Sequence, residues 1–464
     1  MRPRTLLILA GLVIGLVLFI FLYERKLPST EERLQRAKRL LSFEADQVST
    51  LVIEWEGKTT KLERPPKSTD KGTERPWKLV DPPLGLADQP AVDRLVSDLA
   101  RLEFERELAE VDRKDAGLET PRGRIRWGGE VQGELRVGAE LPAANQVLVE
   151  VEGRKGAFVV ARWFATDMSK SPGDWRSREV VGATRDKISR LVFERAGGPR
   201  VVLAKAGERF RLEAPFADEA DRDAMDRLLT DLTSLRISRF LDPPLPPEAE
   251  AGLASPVGRV EVSVEGGAEP IVIEVGAEVA GTSGERYHRA SKQAFVGRSD
   301  LATALGKDLE SWRSRSWSGL ESFEVEKITL KDQHGELVLV REGSDWKVGD
   351  KTVPYSKAGD LLYAVTSARA EALRDLSKEE PVSSPTVTVT FVASGGREEV
   401  LTLHDRVGGR IRARRSGRAV ELELPERTLE ELERAAAAVR EELKPKTEPK
   451  ASEPTPTPQT KSGS

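Results

Sequence analysis

Residue types that could do chemistry are sparse in this sequence and widely spaced. Cysteine is absent and there are three histidines, His288, His334 and His404. Without thiols the chain has no disulfide, thiolate metal site, cysteine nucleophile or lipid-bearing cysteine. The histidines lack the HExxH spacing that sets two imidazoles on one helix face, so a zinc site is not expected. His404 precedes Asp405, but strand neighbours point to opposite faces, so the pair is expected at the surface rather than as an acid and a base. No G-x-S-x-G elbow occurs. The segment GAEVAGTS, 276–283, has the glycine spacing of a phosphate loop but carries Thr282 where the lysine belongs, and reads as a turn-rich loop.

Carboxylates cluster at Asp218, Glu219, Asp221, Asp223 and Asp226. The central glycine and closing glutamate of a calcium loop are missing, and the cluster overlies a helix start, where negative charge favours the helix dipole. Glu103 and Glu105 could form a glycosidase pair only if folding set them across a cleft. The best functional candidates are two identical tetrapeptides, Trp175-Arg176-Ser177-Arg178 and Trp312-Arg313-Ser314-Arg315. Arginine offers a planar fork for carboxylate or phosphate, and tryptophan anchors contact surfaces. A ligand or partner contact and an inter-unit latch both remain open; recurrence at equivalent places favours the latch. No residue is assigned a catalytic, cofactor-binding or metal-ligating role, and no cofactor is expected.

The elements that carry these residues repeat. Val92, Leu95, Val96, Leu99 and Leu102 have helical spacing, as do Met225, Leu228, Leu229, Leu232 and Leu235, and Ala358, Leu361, Leu362, Val365 and Ala368. The three stripes stand 133 residues apart, which marks one unit present three times. Before each lie strand-like runs, Ser49 to Trp55, Ile188 to Glu194 and Ile328 to Leu330. An aromatic step follows: Trp77-Lys78-Leu79, Phe210-Arg211-Leu212 and Trp346-Lys347-Val348, expected to pack on the stripe. Asp88 and Pro90 form a helix-start signal. The small residues Ala358 and Ala368 predict closer or weaker packing in the third unit. A second strand-rich half follows each helix and contains the quartet Val-Gly-Ala-Glu at 137–140 and again at 275–278, where glycine suits a positive-φ turn.

From Leu6 to Tyr23 the chain carries no charge, about the length that crosses a bilayer core. The run continues into Glu24, Arg25 and Lys26 without a small-residue cleavage site, so an uncleaved anchor is expected rather than a signal peptide. Basic residues after it, counted by the positive-inside rule, would put the body in the cytoplasm. Long domains translocate largely regardless of charge, and an extracytoplasmic body is favoured. Gly11 and Gly15 form a GxxxG pattern through which two such helices could pair as a homodimer. The 73 basic and 77 acidic residues nearly cancel, which argues against a nucleic-acid partner.

The apolar N-terminal run, the strand-rich opening, the aromatic-Lys-Leu step before an amphipathic helix and the Trp-Arg-Ser-Arg connector together resemble the bacterial domain-of-unknown-function 4340 family, DUF4340, over most of residues 1–445. The resemblance implies a cell-envelope component that accompanies an ABC-type or gliding-motility-type transport system, and it supplies no catalytic residues. The expected architecture is α+β. It comprises a cytoplasmic tip and transmembrane anchor at 1–26, a stalk at 27–42, strand-rich units at 43–181, 182–320 and 321–445, each with one principal amphipathic helix on an antiparallel sheet, and a disordered Pro/Thr/Lys-rich tail at 446–464. The expected function is a non-enzymatic interaction protein of the bacterial inner membrane, single-pass with a periplasmic body, its partners the bilayer and an envelope protein or transporter complex. A binding module for a glycan, peptide or lipid is the second reading, and a carboxylate-based hydrolase the third.

Overall fold

The computed structural model describes residues 38–67, 75–141, 144–195, 197–376 and 384–444. The expected membrane run with Gly11 and Gly15, most of the stalk and the tail lie outside these residues. Among the described residues no helix is long and apolar enough to cross a membrane.

In the first repeat the strands are β1 Val48–Trp55, β2 Lys58–Glu63, β3 Lys78–Asp81, β4 Gly85–Leu86, β5 Arg106–Leu108, β6 Gly123–Gly129, β7 Gly133–Leu141, β8 Gln146–Val151 and β9 Ala157–Ala161. They pair antiparallel in the order β4-β3-β2-β1-β6-β7-β8-β9-β5. Alternating burial along β1 turns Leu51, Ile53 and Trp55 to the core. The two-residue turn Glu56-Gly57 has positive φ at both positions, which matches the twist of the hairpin it closes. Helix α1, Gln89–Ala100, then joins β4 to β5, at opposite edges of the sheet. Its Val92, Leu95, Val96 and Leu99 share one core with Trp77, Leu51, Ile125 and Val137.

This order recurs twice more, in nine-stranded sheets running from Ile188 to Arg298 and from Val325 to Pro425. After α2, Trp163–Met168, the second repeat holds α3, Arg222–Ser234, α4, Pro247–Ala254, and α5, Leu301–Gly306; the third holds α6, Tyr355–Thr366, and α7, Arg427–Glu442. Asp88 and Asp221 cap their helices by accepting from the Ala91 and Ala224 amides, both at 3.0 Å, whereas Pro354 starts α6 without a side-chain cap. The described residues divide into two compact units between Arg178 and Glu179, with the first sheet in one and the second and third sheets in the other.

Four expectations are corrected. Leu102, Leu235 and Ala368 are buried but lie at or beyond the helix ends, so each helix presents only four members of its stripe. The third repeat has a second long helix, α7, whose Leu432, Ala436 and Val439 share the α6 core; small residues on both helices, Ala364 and Ala436 among them, suit close approach. Gly138 and Gly276 do not turn with positive φ. They sit in a bulge of the sheet, where the register shifts between Val137 and Glu140 and between Val275 and Glu278, and a Cβ there would lie 2.3 Å from the Ala116 carbonyl oxygen or 2.8 Å from that of Gly252. The third sheet keeps the bulge, between Leu403 and Arg406, with His404 at the glycine position. His404 is therefore buried, its Nε2 2.9 Å from Thr402 Oγ1, while Asp405 faces out to Arg412.

Gly138→Ala should lower the stability of the first unit by about 1–3 kcal/mol, because backbone must move to admit the methyl group. Gly173→Ala, whose Cβ meets only Ser171 Oγ at 3.9 Å, should leave the urea midpoint of the same unit unchanged.

Candidate functional site

The two tetrapeptides occupy matching positions. Each tryptophan ends a single 3-10 turn, Pro172–Trp175 or Leu309–Trp312, and is buried. The turns are capped by the same pair of groups in exchanged positions: the Asp174 carboxylate reaches back to the Ser171 amide at 3.0 Å, and the Asp308 carboxylate accepts from the Ser311 amide at 2.9 Å. Lys170 Nζ lies 4.9 Å from the Trp175 ring centroid, and Lys307 Nζ lies 5.0 Å from that of Trp312. The Trp175 carbonyl accepts from the amide of Asp88, the cap of α1, at 2.8 Å; the Trp312 carbonyl accepts from the cap of α3, Asp221, at 2.9 Å. Ser177 and Ser314 extend the ladder to the Leu86 and Glu219 carbonyls, both at 2.9 Å. The backbone of the motif thus pins the end of a repeat to the start of its own helix.

The arginines differ from that shared pattern. Arg176 is buried, and its backbone bridges Ala87. Arg313, 1% exposed, places Nε 2.7 Å from Asp218 Oδ2, Nη1 2.9 Å from Glu310 and Nη2 2.6 Å from Asp375 of the third sheet. Arg418, in the turn between the last two strands of that sheet, grips the other side of Asp218 with Nε at 2.8 Å and Nη2 at 3.0 Å, and also donates to the Ser314 carbonyl at 2.7 Å. Arg315 donates to the Glu371 carbonyl at 2.7 Å. Asp218 therefore lies between two guanidiniums. Burial pushes its carboxyl up, but the hydrogen bond and charge of Arg418 and the hydrogen bond of Arg313 outweigh this and hold it below its ordinary 3.8. Beside it, Arg415 pairs with Glu219 and reaches toward Glu399 at 3.7 Å.

Asp218 and Glu219 are the members of the acidic cluster that helix-dipole reasoning misplaces, since both lie in a short strand before the helix, and Asp218 is the buried one. Asp218 stands three residues before the cap Asp221, outside α3, and occupies the position held by Gly85 in the first repeat. That glycine-to-aspartate contrast is the signal that could have found it. Asp221 and Asp223 do sit at the helix start, and both pair with Arg369.

Next to Trp312 a cleft of about 460 Å³ opens between α3 and α5, lined by Asp226, Asp231, Asp300 and Lys307 as well as apolar side chains. Burial and the nearby Asp300 raise the Asp231 carboxyl, against Lys307, which lowers it. Asp98 holds the same helix position in the first repeat and is raised by burial and Asp167. In the third repeat this position is Ala364, buried where α7 packs. The cleft has room for a small amphiphile or a partner side chain, with an aromatic wall and charges of both signs. Among the described residues no three or more His, Asp or Glu side chains are placed to hold a metal ion.

The remaining candidates are not brought together. His288 is buried in the second sheet, hydrogen-bonded to the Arg286 carbonyl at 2.9 Å and Ser299 Oγ at 3.0 Å and stacked on Phe295, whereas His334 lies exposed in a turn of the third. Glu103 and Glu105 are exposed, the latter bonded to Gln146. Thr282 closes a turn on the Val279 carbonyl at 2.8 Å.

Fold and site together define a tandem array of strand-rich modules, two of which are joined through buried ion pairs. The chain belongs to the family described as domain of unknown function DUF4340, whose model matches residues 77–256 and again 246–386. The first match begins at the aromatic Trp77 and runs across into the second repeat, so its borders do not coincide with those of the sheets. No curated protein matches the chain.

Asp218→Asn leaves two buried guanidiniums undercompensated and should cost the unit beyond Glu179 about 3–5 kcal/mol in urea unfolding. Because the folded carboxyl is held low, its contribution is full above 3.8 and is lost as pH falls through the lower folded value; the variant should lack this acid dependence. Burial depresses His288 from 6.5 to about 4, helped by the Arg286 charge and opposed by the Arg286 carbonyl. The unfolded chain then takes up the proton first, so stability is full above pH 6.5 and falls by about 3 kcal/mol as pH drops toward 4. Comparing urea midpoints at pH 7 and 4.5, His288→Gln should show a shallower decline than the parent.

Proposed function

We propose that the protein is a membrane-tethered, non-enzymatic scaffold of the bacterial cell envelope, with the connector that carries Arg313 and Arg315 acting as a latch between the second and third repeats. The observation that carries this reading is the Asp218 node. Its oxygens accept from Arg313 and Arg418, and these side chains also reach Asp375 and the Ser314 carbonyl, so groups from the second and third repeats are spent on one another. A latched pair of modules offers a partner a preorganised surface, which lowers the ordering cost of docking. The uncharged run Leu6 to Tyr23 supports a single inner-membrane anchor, in which Gly11 and Gly15 would let two such helices pair, and the extracytoplasmic placement rests on long domains translocating largely regardless of flanking charge. The family resemblance supports an ABC-type or gliding-motility-type transport assembly as the partner.

A second reading, a binding module for a glycan, peptide or lipid, is favoured by the cleft beside Trp312. The two readings separate in cells. Photo-crosslinkers placed on the exposed surfaces of the second and third repeats should yield a membrane transport component as the dominant adduct. Adducts confined to the cleft and to small molecules would favour the second reading. An alkaline-phosphatase fusion after Lys444 should be active, and an inactive fusion would overturn the extracytoplasmic placement.

A further inference from the structure

The third repeat departs from the other two on one face of its helix. The three helices align with Val92, Met225 and Ala358 in register, so Tyr355, Gly359 and Tyr363 of α6 take the places of Gln89, Asp93 and Ser97 in α1 and of Arg222, Asp226 and Thr230 in α3. Those earlier residues are polar, and Asp93 and Asp226 pair with Arg64 at 3.4 Å and Arg185 at 2.6 Å. In the third repeat the ion-paired aspartate becomes a glycine, and a Cβ added there would meet no atom within 4 Å. Each repeat also carries a short 3-10 turn before its first strand, and its middle residue is Asp46, then Asp186, then Phe323. Ser322 Oγ lies 2.8 Å from Thr366 Oγ1, which sets Phe323 beside the last turn of α6. Phe323, Tyr355 and Tyr363 are 76%, 71% and 69% exposed. Charged and polar positions have thus given way to an uncovered aromatic face with a notch at Gly359.

The described chain runs out close to this face. Lys351, four residues before Tyr355, donates from Nζ to the carbonyl of Leu443, just beyond the end of α7. From there the sequence continues through Lys444 into a segment that includes Pro454-Thr455-Pro456-Thr457-Pro458. Alternating proline favours the extended polyproline helix, which docks on aromatic-lined surfaces at low entropic cost. The ten residues from Lys444 to Pro454 span up to ~31 Å in that form. Tyr355, where Pro454 would sit, lies at most ~14 Å from the Lys351 backbone, four extended residues, and the Lys351 side chain that reaches Leu443 adds less than ~10 Å, so the tether is long enough. The lengths also match at the site: Pro454 to Pro458 covers ~12 Å, as does Tyr355 to Tyr363 along the helix.

We propose that residues 454–458 of this chain dock on the aromatic face of α6, with Pro454 and Pro458 against Tyr355 and Tyr363 and Pro456 over the notch at Gly359. The inference goes beyond the scaffold reading and does not depend on it: this face of the third repeat is closed by the protein's own segment, and another ligand for it must displace that segment.

The natural absence of cysteine makes the test clean. In the full chain, Gly359→Cys combined with Thr455→Cys should form an intramolecular disulfide in dilute solution at least tenfold faster than Asp226→Cys combined with Thr455→Cys. Adding Phe323→Ala and Tyr363→Ala should bring the rate down to the control. Equal rates in the first two proteins, or a rate indifferent to loss of the aromatics, would overturn the proposal, and disulfide-linked dimers as the main product would assign the face to a second copy instead. A cysteine-free readout runs in parallel: trypsin should cut after Lys450 several-fold faster in Tyr355→Ala/Tyr363→Ala than in the parent, with both proteins melting at the same temperature. Unchanged cleavage would count against docking.

Discussion

A carboxylate buried between two guanidiniums sets the terms for half of this molecule. Asp218 is 3% exposed, and removing it from water is costly unless both oxygens find charged donors. Arg313 comes from the connector that closes the second repeat, and Arg418 comes from a turn of the third, 200 residues further along the chain. Neither alone neutralises the arrangement, because Arg313 also faces Glu310 and Asp375. Such a node adds less net stability than an apolar core of similar size, but it tolerates few alternative geometries, and this defines how the second and third repeats meet.

Much of the architecture could be read from the sequence because the repeat supplies its own comparison. The helical stripes, the Trp77 and Trp346 steps and the opening strands were legible, each fixed by a local period that tertiary contacts reinforce. The short edge strands Arg106–Leu108, Ile237–Leu241 and Ala372–Asp375 were not, since few residues carry too little pattern. Helix α7 is harder to read although Leu429, Leu432, Ala436 and Val439 hold helical spacing; its counterparts after the last strand of the other two sheets, α2 and α5, are only six residues long, and alanine speaks weakly in a hydrophobic pattern. His404 was misplaced because a bulge breaks the alternation on which the surface expectation relied. At the candidate site the tetrapeptides were visible, but Asp218 was not, because its partner Arg418 is remote in sequence and shares no motif with it.

Comparison among the repeats separates residues required by the module from those added to it. The tryptophan, the lysine over its ring and the bond from its carbonyl to the helix cap occur in both connectors. The 3-10 caps exchange serine and aspartate between their two ends, so what is preserved is the satisfied amide rather than the residue. Against that background Asp218 in place of Gly85, and the α6 aromatics in place of polar residues, stand out as particular to their repeats.

The bond from the connector carbonyl to the amide of the helix cap also bears on how the protein is made. Trp175 emerges from the ribosome after every strand of the first sheet, and its carbonyl fastens onto Asp88, so that module can close before the next has emerged. The second module reaches the same state at Trp312, yet it then holds a buried aspartate whose second guanidinium is still to be translated. Vectorial synthesis therefore meets an asymmetric sequence of events, with one module whose sheet and helix are fastened early and another that waits in a partly satisfied state until the last hairpin of the third arrives.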